Sequence, residues 1–113
     1  MNKIVILLAV VFLASCTAKK LAKTPTEADA RIGANEYPGY TLAMMMDDKK
    51  IFEEKCSNCH GLKNPAKKTP QQWPKTVKRM AGKAENNPKK AISETEQESI
   101  TRYLVTMSLA AGK

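Results

Sequence analysis

Cys56-Ser57-Asn58-Cys59-His60 constrains this chain more than any other feature. Two cysteines three apart, with a histidine directly behind the second, have the C-x-x-C-H spacing of covalent haem attachment. Each thiol can add across one vinyl group of a porphyrin to give a thioether, and the imidazole that follows can take the iron from the same side. His60 is the only histidine in the chain. A fold carrying such a group must be built around a flat, rigid, mostly apolar plate.

Other uses of this spacing fit less well. A redox dithiol would want the strand–helix setting of a thioredoxin-like site, which nothing nearby suggests. A zinc site would need a second Cys or His pair, and none follows. A disulfide of a secreted protein is the remaining bland alternative.

The N-terminus points to export. Met1-Asn2-Lys3 is followed by an apolar run from Ile4 to Leu13 and then by Ala14-Ser15-Cys16, the layout of a secretory signal. The run is about half of the roughly 20 residues that a membrane-spanning helix needs. Leu13-Ala14-Ser15-Cys16 resembles the lipobox of bacterial lipoproteins, which implies cleavage of residues 1–15 and a lipid on Cys16. Of the three cysteines, Cys16 then carries lipid while Cys56 and Cys59 hold haem, and no disulfide is required. The expected location is a bacterial membrane surface, with the haem domain in the periplasm.

A chain this short is one domain at most, and so small a core gains from a bound cofactor. The formal net charge is +8. Few aromatics and no nucleic-acid motif leave acidic proteins or a lipid surface as the partners, not nucleic acid. Nine basic residues (Lys63, Lys67, Lys68, Lys75, Lys78, Arg79, Lys83, Lys89 and Lys90) face one acid, Glu85, between Gly61 and Lys90. Such a run is either a solvated surface or a docking face.

Residues 16–46 read as the lipidated N-terminus, a tether and a lead-in, about 30 flexible residues with a root-mean-square span of roughly 30 Å. Glu27–Ile32 could make a short helical turn, and Tyr37-Pro38-Gly39-Tyr40 predicts a type II turn. The functional domain is expected over 47–113. Its first helix is predicted to start at Asp47-Asp48, whose charges suit a helix N-terminus, and to run into Cys56. A second is predicted from Thr69-Pro70, carrying Trp73, Val77 and Met80 as one stripe. A third opens on the capping box Ser93-x-x-Glu96 and carries Ile100, Tyr103, Leu104 and Met107. No alternating strand pattern occurs.

From about Asp47 to Leu109 these residues resemble the small class I c-type cytochromes. The resemblance rests on the helix running into Cys56–His60, on Trp73-x-x-x-Val77-x-Arg79-Met80, and on Ile100-x-x-Tyr103-Leu104. It implies an all-α cytochrome c-like fold, in which the helix before the motif crosses the C-terminal helix around one covalent haem c. It implies His60 and Met80 as axial ligands, with Met44, Met45, Met46 and Met107 as rivals to Met80. It also implies that the carbonyl of a proline after the motif, Pro65 or else Pro70, receives the other ring nitrogen of His60. The stretch from His60 to Met80 is far shorter than in mitochondrial members, so more of the haem edge should be exposed.

The expected role is that of a monomeric, membrane-tethered, non-enzymatic electron carrier serving acidic redox partners. Two alternatives stand beside it: a haem enzyme or gas sensor with an open sixth position, and a fixed electron-transfer subunit of a larger redox enzyme.

Overall fold

A computed structural model describes residues 24–57 and 62–113. Cys16, Cys59 and His60 lie outside the described residues, as does the stretch 1–15 read as a signal segment. Among the described residues the chain is all-helical. Four α-helices form: α1 (Glu27–Glu36), α2 (Leu42–Cys56), α3 (Trp73–Ala84) and α4 (Glu94–Ala110), with a short 3-10 turn at Pro65–Lys67.

The helix starts are set by side chains. At α1, Thr26 and Asp29 form a reciprocal box: the Asp29 amide donates to Thr26 Oγ1 at 3.3 Å, and the Thr26 amide donates to Asp29 Oδ2 at 2.9 Å. Thr41 caps α2 by accepting from the Met44 amide at 3.2 Å. Ser93 caps α4 by accepting from the Glu96 amide at 3.2 Å. The Glu96 carboxylate lies 3.1 Å from Lys55 Nζ, so this residue serves an ion pair with α2.

Three expectations change. The stretch read as tether and lead-in contains a full helix, α1, which packs against α4 and α2; Pro25 is already buried. The Thr26–Asp29 box and the small residues Ala30 and Gly33 on the buried face of α1 make that packing possible. The helix before the C-x-x-C-H motif begins at Leu42 instead of Asp47, because Thr41 supplies the cap. Asp48 is therefore mid-helix and buried, not in a first turn. Finally, Thr69–Gln72 forms a turn closed by Gln72 N–H to Thr69 O at 3.0 Å, and α3 starts at Trp73. The expected turn at Tyr37–Tyr40 is present: the Tyr40 amide donates to Tyr37 O at 3.0 Å, and Gly39 takes φ +84°.

Helix α4 is the spine. It packs against α1, α2, α3 and the 3-10 turn. Tyr103, Leu104, Ile100 and Thr106 are almost wholly buried on it, and Phe52 of α2 stacks at a tilt on Tyr103 with ring centroids 5.4 Å apart. Gly33 lets α1 come close: a Cβ there would lie 2.8 Å from both Thr106 Cγ2 and Tyr40 Cδ1. Helices α2 and α3 both rest on α4, and their backbones make no close approach to each other among the described residues.

Candidate cofactor site

The space left between α2 and α3 is a cavity of about 220 Å³. Phe52, Lys55 and Cys56 line it from α2, and Trp73, Val77, Met80 and Ala84 from α3. Ile100 and Leu104 of α4 form its floor. The walls are thus apolar, with one thiol on one side and one thioether on the other.

Each placement follows from local structure. Cys56 is the last residue of α2 and half-buried, so the C-x-x-C-H motif begins where the helix ends. Trp73, Val77 and Met80 recur at helical spacing, which brings all three to one face of α3. That face is the cavity wall. Met80 is half-buried there. The rival methionines are elsewhere: Met45 and Met107 are buried in the core, while Met44 and Met46 are exposed. Met80 is the only one of these five that lines the cavity.

The rim is strongly basic. Lys55, Lys63, Arg79, Lys83 and Lys90 line the cavity with no carboxylate among them. Lys55 is tied down: it pairs with Glu96 and donates to Ala91 O at 3.3 Å. The charge run seen in the sequence therefore divides. Lys63, Arg79, Lys83 and Lys90 gather at the cavity, whereas Lys78 sits in a separate groove with Glu94, Glu98 and Arg102. Lys55 belongs to the rim and was missed; its place next to Cys56 in sequence was the available signal.

The Pro65 carbonyl has a partner the sequence did not suggest, while His60, its expected donor, lies outside the described residues. It accepts the indole Nε1–H of Trp73 at 3.0 Å in a buried hydrogen bond. The segment around it is also held at Lys68, whose carbonyl accepts from Ser108 Oγ at 2.6 Å.

No protein-family model, curated protein or solved structure matches the chain.

Proposed function

We propose that the chain is a lipid-anchored monohaem c-type cytochrome, a carrier of single electrons. Support comes from one juxtaposition: Cys56 and Met80, from two helices whose backbones stand apart among the described residues, line the same apolar cavity. The donor set fits haem c. Cys56 and Cys59 would hold it covalently, and His60 and Met80 would bind its iron. When bound, haem c supplies a reversible one-electron couple, and a histidine–methionine ligand pair favours a relatively high potential.

The protein's own residues supply the surroundings. Phe52, Trp73, Val77, Ile100 and Leu104 exclude water from the cavity. Lys63, Arg79, Lys83 and Lys90 set a positive field at its mouth, which attracts an acidic redox partner and raises the encounter rate. The lipid on Cys16 would keep the domain at the membrane. From Cys16 to the buried Pro25 the chain can reach no farther than about 30 Å.

The test is mass spectrometry of the mature protein. The peptide containing Cys56 and Cys59 is expected to carry one haem, and the N-terminal peptide a diacylglycerol on Cys16. A holoprotein without the haem adduct would rule the reading out. A mature chain that carries haem but is soluble and unacylated would remove only the anchor.

A further inference from the structure

Trp73 opens α3, is 2% exposed and lines the cavity two helical turns before Met80. A buried tryptophan can serve as apolar filling alone, but this one also uses its single donor. The bond from Nε1 to Pro65 O ties the start of α3 back to the 3-10 turn that follows the C-x-x-C-H motif, across the Thr69–Gln72 turn that joins them in sequence. That turn is rigid in itself. Asn64 caps it, with the Ala66 amide donating to Asn64 Oδ1 and the Lys67 amide to Asn64 O, both at 3.0 Å. Ser108 holds its far end to α4.

The backbones of α2 and α3 make no close approach to each other among the described residues. The spacing between the Cys56 wall and the Met80 wall is therefore set by what each is tied to. Both lean on α4, and the indole bond adds a tie between α3 and the segment leaving the motif. An α-helix transmits such a tie along its length, because Trp73 and Met80 lie on one face of it.

We propose that Trp73 is a positioning residue: through its hydrogen bond to Pro65 it fixes α3, and with it Met80, relative to the segment that follows the C-x-x-C-H motif. The proposal rests on the haem reading above. A phenylalanine could fill much of the same space but would leave the buried Pro65 carbonyl without this donor, which is costly.

The test replaces Trp73 in the full-length holoprotein with benzothienylalanine, which keeps the fused-ring shape and puts sulfur where the N–H stands. Two quantities are read: amide hydrogen exchange at Ala66 and Lys67, and the rate at which added imidazole binds the ferric haem. Both should rise about tenfold, the scale set by losing one buried hydrogen bond. Trp73→Phe should show the same two changes together with a lower midpoint of denaturation. Faster exchange with unchanged imidazole binding would reduce the bond to a structural role and overturn the proposal, as would no change in either quantity. Wild-type chain without covalent haem would overturn the haem reading and this proposal with it; covalent haem with unaltered imidazole binding overturns this one alone.

Discussion

Arg102 grips Asp48 with two parallel hydrogen bonds, Nε to Oδ2 and Nη2 to Oδ1, each 3.1 Å long. The Tyr40 hydroxyl donates to the same carboxylate at 2.6 Å, and the guanidinium lies 5.7 Å from the Tyr40 ring centroid. One carboxylate in mid-α2 thus joins α2, α4 and the turn after α1. Hydrogen bonding to Asp48 raises the Arg102 pKa further above its already high value, so the guanidinium stays charged.

Arg102→Met should destabilise the protein by about 3 kcal/mol. The Asp48 side chain is 5% exposed and would lose its counter-charge, while the guanidinium, at 30% exposed, keeps part of its hydration in the native state, which limits what its removal regains. Urea unfolding of the holoprotein measures this. A loss under about 1 kcal/mol would mean that Tyr40 alone satisfies the carboxylate.

Gly33→Ala should cost about 1–3 kcal/mol despite the better helix propensity of alanine. The new methyl would meet Thr106 and Tyr40 at 2.8 Å, and both neighbours are buried. Adding Thr106→Ser to the variant removes Cγ2 and should restore part of the loss.

Stability should fall in alkali. Burial holds the Tyr103 phenol protonated well above the usual tyrosine range, with Glu53 and Asp29 adding to the shift. Burial, followed by the hydrogen bond to Asp48, does the same for Tyr40. Above pH about 10 the unfolded chain releases these protons and the native one keeps them, so the contribution is whole below that pH and shrinks as pH rises. The Tyr103 hydroxyl has no hydrogen-bond partner among the described residues. Tyr103→Phe should therefore change stability at pH 7 by no more than about 1 kcal/mol and lose less than wild type at pH 11. Thermal melts at the two pH values decide it.

On the proposed haem reading, Met80→Ala should open the iron to added ligands and lower the potential, since a thioether favours the ferrous state. The weak far-red thioether-to-iron band should vanish. Its survival would transfer the ligand role to another methionine, although none of Met44, Met45, Met46 and Met107 lines the cavity. Absence of the band in wild type would favour the open-site alternative.

Oxidation by ferricyanide, an anionic probe, should slow as salt rises, because charges separated by more than about 8 Å are screened at physiological ionic strength. Lys63→Glu with Lys83→Glu should slow it further and flatten the salt dependence. Lys78→Glu is the control: Lys78 lies in the groove with Glu94 and Glu98, away from the cavity, and should have a smaller effect. Equal effects would show that only net charge matters.

Much of the helical layout was legible because it is written in local chemistry. Ser93 announces α4, the Trp73–Val77–Met80 stripe announces the wall of α3, and Pro38-Gly39 announces the turn. The start of α2 was misread because Asp47-Asp48 imitates a helix N-terminus, while the operative cap is a single threonine, Thr41, followed by no acidic first turn. Helix α1 was underestimated because it has no broad apolar stripe; its buried face is Asp29, Ala30 and Gly33, whose role depends on α4 being near.

The sequence by itself determined the C-x-x-C-H motif, its lone histidine, the three cysteines, the basic balance and the helical periods, since these depend only on residue identity and spacing. Only the tertiary structure decided which of five methionines faces the cavity, which lysines gather at its rim, that Pro65 O is taken by Trp73, and that Asp48 belongs to Arg102. Asp48 and Arg102 are 54 residues apart, and Ser108 and Lys68 are 40 apart. Such partners meet only when helices pack, and packing depends on shape and burial summed over the whole chain, which no local pattern encodes.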